Sequence, residues 1–201
     1  MTADTTEEPT EKALLRRALL TARAALADED RARSAQLLAE HALELAELAE
    51  ADTVAAYVSV GREPGTRALL DALRERGVRV LLPVLLPDND LDWAVYEGAE
   101  RLVKAGRGLL EPADGRLGPE AVCAADAVLL PGLAVDGRGM RLGRGGGSYD
   151  RVLARLARAG ADPALVVLLY ANEVVVRVPE EPHDHPVHAV VTPEGVRRFA
   201  R

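Results

Sequence analysis

One cysteine, one tryptophan, one phenylalanine and two lysines are all that this 201-residue chain carries of those types. Each scarcity excludes something. A lone Cys123 cannot close an internal disulfide, so a reducing compartment is expected. Its neighbours Ala121, Val122 and Ala124 suggest a buried, inert thiol. Aromatics make up 3% of the chain, so Leu, Val and Ala must build the core. No uninterrupted apolar run approaches the roughly 18 residues of a membrane helix. Residues 1–11 are polar and acidic, without the basic start and apolar centre of a secretory signal. The net charge of −7 argues against a general nucleic-acid surface. A soluble cytoplasmic protein with no membrane or nucleic-acid partner is the expectation, and a monomer the simplest state.

What is present is patterned. Hydrophobic residues are 48% of the chain, enough for one substantial core. Residues 1–8 read as a disordered tail, and 9–201 as one domain. Leu14, Leu15, Ala18, Leu19 and Ala22 have helical spacing over 9–27. A second helix is expected from 28–30 to about 50, with Leu37, Leu38, Leu45 and Leu48 as its stripe. The two are contiguous and can pair as a hairpin. Then strand signals begin. TVAAYVSV (53–60) reads as a buried strand, Thr66 as the cap of a helix reaching Arg76, and Gly77 as its stop. Strands follow at 78–84 and 91–95, with a looping excursion over 97–118. AVLLP (127–131), a helix over 148–159, LVVLLY (165–170) and HAVVT (188–192) complete the set. The β–loop–helix–β order predicts an α/β fold. Its mainly parallel central sheet is flanked by helices on both faces, in three layers, with an N-terminal helical pair. Ligands in such sheets bind at strand C-termini.

Residues 131–151, PGLAVDGRGMRLGRGGGSYDR, fall at such a terminus. Seven of these 21 residues are glycine and four arginine. A strand leads in and a helix start leads out. Glycines let backbone N–H groups converge, a helix N-terminus adds unpaired donors, and arginines add forked cations. This is the composition of a phosphate seat, with Arg138, Arg141 and Arg144 as its cations. It is not a Walker A loop, and as a dinucleotide fingerprint it is weak. A flexible surface turn is the plain alternative. Asp150 either complements the helix dipole or holds Mg²⁺ beside a phosphate.

The run LLPGLAVDGRGMRLGRGGGSYDR resembles the hallmark motif of the 5-formyltetrahydrofolate cyclo-ligases, also called 5,10-methenyltetrahydrofolate synthetases. The resemblance covers nearly the whole chain. Lys12 and Arg16 form a K-x-x-x-R pair; YVSVGREPGTRALLDAL resembles the family's strand–E-x-x-T–helix passage, with Glu63 its acid. RVLLPV, Glu111–Pro112 and VPEEPHDHPVHAVVTPEG are similar to further landmarks. Four positions depart from the pattern: Ser148 for an aromatic, Val135 for Phe, Glu173 for a frequent Gln, and His188 for a frequent Asp.

The resemblance implies ATP-dependent cyclisation of 5-formyltetrahydrofolate to 5,10-methenyltetrahydrofolate, with release of ADP and phosphate. It implies that Lys12, Arg16, Arg141, Gly143, Arg144, Gly145, Gly146, Gly147, Ser148, Tyr149 and Asp150 contact ATP. Arg144 and Tyr149 are the implied catalytic residues. Glu63, Tyr57, Trp93 and Tyr149 are the implied folate contacts, although Trp93 fits a core position equally. Asp150 and Asp184 are the implied Mg²⁺ ligands. His183, His185 and His188 have an H-x-H-x-x-H spacing broken by prolines, which suits zinc poorly. His183 is expected to border the nucleotide or to fix the loop of Asp184, and His41 to be exposed. A sugar-phosphate isomerase or acyl-CoA transferase of similar architecture, and a non-catalytic phosphate-binding regulator, are the competing classes.

Overall fold

A computed structural model describes residues 10–182 and 184–200. The expected tail over 1–8 and the role expected of His183 lie outside the described residues. The helices are α1 (Glu11–Ala25), α2 (Asp28–Ala42), α3 (Ala46–Ala49), α4 (Arg67–Glu75) and α5 (Ser148–Ala159). The strands are β1 (Thr53–Ala55), β2 (Arg79–Leu85), β3 (Leu91–Val95), β4 (Leu102–Lys104), β5 (Leu110–Pro112), β6 (Ala127–Leu130), β7 (Ala134–Val135), β8 (Arg141–Leu142), β9 (Ala164–Leu168), β10 (Ala189–Thr192) and β11 (Gly195–Arg198). Seven of them form one sheet in the order β11-β10-β9-β6-β1-β2-β3. β1, β2, β6, β9 and β10 run parallel, and the edges β3 and β11 are antiparallel.

Period-2 alternation divides the core. Val54, Val80, Leu82 and Leu129 face α2 and α4, which contribute Leu38, Ala42, Leu69, Leu70 and Leu73. Ala55, Leu81, Val128 and Leu130 face the other way, onto Val152, Leu153 and Leu156 of α5. The central strands therefore bury both faces and read as continuous apolar runs. Each fully buried leucine contributes about 1.5–3 kcal/mol. Pro83 is tolerated because β1 pairs with β2 only as far as Leu81, so no ladder bond is lost on that side.

Several expectations are corrected. α1 and α2 follow each other but do not close as a hairpin. α1 packs through Leu15 and Leu19 on Leu133, Met140, Leu142 and Val178, whereas α2 packs on the main core. The second helix ends at Ala42, and α3 carries Leu48. The excursion over 97–118 contains the β4–β5 hairpin. The strand expected over 53–60 leaves the sheet after Ala56, whose N–H makes its last ladder bond, to Leu81. The cause is Thr66. Its side chain does not cap α4; it donates to the Tyr57 carbonyl at 2.7 Å and accepts from Ser59 N–H at 2.9 Å. Cys123 is partly exposed rather than buried. Desolvation and neighbouring Glu120 raise its thiol pKa, which disfavours the thiolate. His41 is half-buried against the Thr192 carbonyl, 3.1 Å away.

Candidate active site

The chain goes from β1 to β2 on one side and from β6 through β9 to β10 on the other. The switch point thus lies between β1 and β6, where an α/β sheet opens its crevice. A cavity of ≈ 290 Å³ occupies that place. The β1 loop contributes Tyr57, Val58, Val60 and Glu63. The β2 and β3 side contributes Pro83, Leu85 and Leu91, and the β4–β5 hairpin residues 107 and 109–111. The β6 side contributes Pro131, Gly132, Arg141 and residues 143–150.

The glycine-rich loop is shaped by its backbone. Gly145 has φ +93° and Gly147 φ +77°, left-handed positions that only glycine adopts freely. Gly147 is also the residue before α5, and no side chain caps that helix. The first N–H groups of α5 therefore remain available at the cleft, together with the positive end of the helix dipole.

Lys12, Arg16, Leu19 and Arg23 form one stripe of α1. Arg16 Nε donates to the Gly143 carbonyl at 2.9 Å. A Cβ on Gly145 would lie 3.4 Å from the Arg16 guanidinium carbon, so the loop rests directly on that cation. Lys12 Nζ lies 2.9 Å from Asp184 and 3.0 Å from Glu181. Burial opposes the Lys12 charge, but these carboxylates outweigh it and hold its pKa above the ordinary lysine value. Arg141 is buried. Its Nη1 donates to the Pro131 carbonyl at 2.9 Å, and its Nη2 lies 3.5 Å from Asp150. Desolvation presses its pKa down, with Asp150 foremost among the opposing anions. Arg144 is half exposed and lies 3.4 Å from Glu63. Glu63 in turn accepts the Val60 N–H at 2.8 Å.

Tyr57 and Tyr149 are both held protonated, by burial first and by the Glu63 charge second. Among the described residues, neither the Tyr149 hydroxyl nor Arg141 Nε has a hydrogen-bond partner. Two buried polar atoms on side chains lining one cleft are the deficit that a polar ligand fills.

Not every anticipated residue belongs to the cleft. Trp93 is fully buried in the core and does not line the cleft. Arg138 does not line the cleft either. Its Nη2 lies 2.7 Å from buried Asp136 and its Nη1 2.9 Å from Glu180, which anchors the loop rather than a ligand. His188 Nδ1 accepts the Leu165 N–H at 2.9 Å, tying β9 to the start of β10. Four residues were not anticipated in these roles. Thr66 shapes the Glu63 loop, the Arg23–Glu173 pair fastens α1, and Arg107 stands at the cleft mouth. Thr66 carried a signal through its place in the E-x-x-T passage, and Glu173 through its departure from a frequent Gln.

Fold and cleft together define an α/β protein with a glycine-rich, arginine-lined ligand crevice at its switch point. The sequence model of the 5-formyltetrahydrofolate cyclo-ligase family matches residues 8–193. A 5-formyltetrahydrofolate cyclo-ligase of Mycolicibacterium smegmatis is 45% identical over 147 residues, covering 71% of this chain and 74% of that protein. The Escherichia coli K12 cyclo-ligase is 32% identical over 176 residues, covering 87% and 96%. The solution structure of Aquifex aeolicus 5,10-methenyltetrahydrofolate synthetase superimposes with a TM-score of 0.81 at 28% identity, covering 96% of this chain and 94% of that one. The chain belongs to the 5-formyltetrahydrofolate cyclo-ligase family, and it is an enzyme of that family.

Proposed function

We propose that this protein converts 5-formyltetrahydrofolate to 5,10-methenyltetrahydrofolate at the expense of ATP, acting on free small molecules. The observation that carries the reading is the sharing of one cleft by a glycine-rich cationic loop and by Glu63, the two sides touching through Arg144.

The chemistry sets what the site must do. The formyl carbon on N5 is amide-like and weakly electrophilic, and its oxygen leaves poorly. Transfer of the γ-phosphoryl group to that oxygen releases ADP and creates a good leaving group. N10 of the same molecule then attacks the formyl carbon, where proximity is already supplied. The C–O bond breaks, phosphate departs, and the N10 proton passes to solvent. The methenyl bridge remains with its charge shared by N5 and N10.

In this reading the backbone of residues 143–148 and the α5 N-terminus cradle the ATP phosphates. Arg144, Arg141 and Arg16 balance their charge. Lys12 reaches the nucleotide from α1. Glu63 accepts two N–H donors of the pterin ring, exchanging Arg144 for substrate as Arg144 turns to phosphate. Tyr149, kept protonated, donates to the formyl oxygen rather than acting as a base. Tyr57 supports the pterin side.

Mg²⁺ binds through one or two carboxylates plus substrate phosphates and keeps several waters. Asp150 fits that requirement, being half exposed on the first turn of α5 and part of the cleft wall. There the ion would neutralise phosphate charge. Asp184 accepts from Lys12 and from the Glu181 N–H, and does not line the cleft. We therefore assign it to holding Lys12, in contact with the ion only through water.

The test is direct. Folinate, ATP and Mg²⁺ supplied together are expected to give an ATP-dependent rise in near-ultraviolet absorbance from the methenyl product. Folded protein that gives no such rise overturns the reading. Arg144→Ala is expected to raise the KM for ATP with little change in melting temperature, because its side chain is half exposed.

A further inference from the structure

The cleft extends past the glycine-rich loop to the opposite edge of the sheet, where β2 and β3 lie beyond β1. At a spacing of about 4.8 Å per strand, that edge is about 14 Å from β6. Its wall is apolar, formed by Pro83, Leu85, Leu91 and Leu109. Arg107, at the tip of the β4–β5 hairpin, stands exposed on this part of the cleft.

The carboxylates around Arg107 are engaged by other groups. In the neighbouring β2–β3 turn, Asp88 lies 3.6 Å from Arg151 and Asp90 lies 2.6 Å from Arg155. On the hairpin itself, Glu111 accepts the Leu85 N–H at 2.9 Å. Arg107 Nη1 donates to the neutral Asn89 side chain at 3.1 Å. Among the described residues Arg107 has no carboxylate within ion-pair distance. Arg107 and Asn89 are also the two described non-glycine residues with positive φ, +59° and +66°. Each is held in an uncommon conformation that the other's contact supports. In a chain of net charge −7, a cation without an anion is thus set on the ligand cleft. A guanidinium with free forked donors fits a carboxylate.

We infer that Arg107 receives a carboxylate of the substrate's glutamate tail. The apolar wall covers the p-aminobenzoyl ring that precedes the tail. This assignment rests on the function proposed above, and orders the cleft as phosphates at β6, pterin at β1 and tail at β3. It also makes the β4–β5 hairpin the element that discriminates among folates by their tails.

The test compares folinate with 5-formyltetrahydropteroate, which lacks the glutamate. Arg107→Asn removes the charge with a residue that tolerates positive φ, and Arg107→Lys retains the charge. Arg107→Asn is expected to raise the KM for folinate about fivefold to tenfold, as for one partly exposed charge-assisted contact. kcat and the KM for ATP are expected to stay unchanged. Arg107→Lys is expected to recover part of the loss, and added salt to shrink the difference. The pteroate analogue is expected to be handled alike by all three proteins. An equal loss on both substrates, or no loss on folinate, overturns the assignment. Equilibrium binding separates this from the reaction itself. If wild-type protein binds folinate without turnover, the proposed reaction fails. The ratio of dissociation constants for the two ligands in wild type and Arg107→Asn still decides Arg107. If folinate does not bind, both readings fall.

Discussion

Arg23 on α1 and Glu173 after β9 form an ion pair in which Nε and Oε1 lie 2.6 Å apart, with side chains 2% and 1% exposed. Arg23 Nη2 also donates to Glu173 Oε2 at 2.9 Å and to the Gly132 carbonyl at 2.6 Å, while Glu173 accepts the Tyr170 N–H. The pair therefore fastens α1 to the C-terminal ends of β6 and β9. Arg16 lies two turns earlier on the same stripe, against Gly143. The pair thus fixes where Arg16 stands against the glycine-rich loop.

Breaking that pair is expected to be costly. Arg23→Met leaves a buried carboxylate without its cation, and a loss of about 3–5 kcal/mol is expected in urea unfolding. The double variant Arg23→Met, Glu173→Met is expected to recover much of that stability, since no charge remains buried. If α1 is positioned by the pair, the double variant still shows a raised KM for ATP. A double variant with native stability and native KM would refute the positioning role.

Tyr149→Phe separates activity from stability. The hydroxyl is buried and has no partner among the described residues, so its loss leaves nothing unsatisfied. Stability is expected to be unchanged or higher by about 1 kcal/mol. The rate is expected to fall about 100-fold, as for removal of one positioned donor. Thermal unfolding and kcat measured on the same preparation check both halves. A fall in stability with kcat retained would reverse the assignment.

The C-terminal edge strand carries a pH-dependent clasp. Arg198 on β11 holds Glu47 on α3 with two hydrogen bonds, one of 2.8 Å from Nη2 to Oε2. The Arg198 hydrogen bonds lower the Glu47 pKa from 4.5 to about 2. A depressed carboxylate contributes stability that is present above its unfolded pKa and lost as pH falls through the folded one. The contribution is therefore complete above about pH 4.5 and fades towards pH 2. Solvent screening keeps it small. Glu47→Gln is expected to lower the melting temperature slightly at pH 7 and to flatten its decline between pH 4.5 and 2. An unaltered acid profile in the variant would show that the clasp contributes nothing.

Much of this protein is written locally. The apolar runs at 79–85, 127–130 and 189–192 determine buried strands because both faces of a central parallel strand meet helices. Gly77 and Gly147 determine where α4 stops and α5 starts, since positive φ is a property of the residue itself. The left-handed turns of the glycine-rich loop at Gly145 and Gly147 are set locally for the same reason.

Other features depend on partners far away in sequence. Nothing local shows that Arg138 reaches Glu180 while Arg144 turns to Glu63; both are arginines between glycines. Trp93 became core because the outward side of β3 is covered by the segment holding Val122. β11 is a strand only because β10 offers it an edge, and β1 is short because Thr66 captures the Tyr57 carbonyl just beyond it. Arg107 is left without a carboxylate because Asp88 and Asp90 are taken by arginines of α5, some sixty residues on. Residue type and spacing determined the elements and the kind of chemistry. The tertiary structure alone decided which charges pair with each other and which stay open to a ligand, because ion pairing depends on distance in space and the chain brings its acids and bases together only on folding.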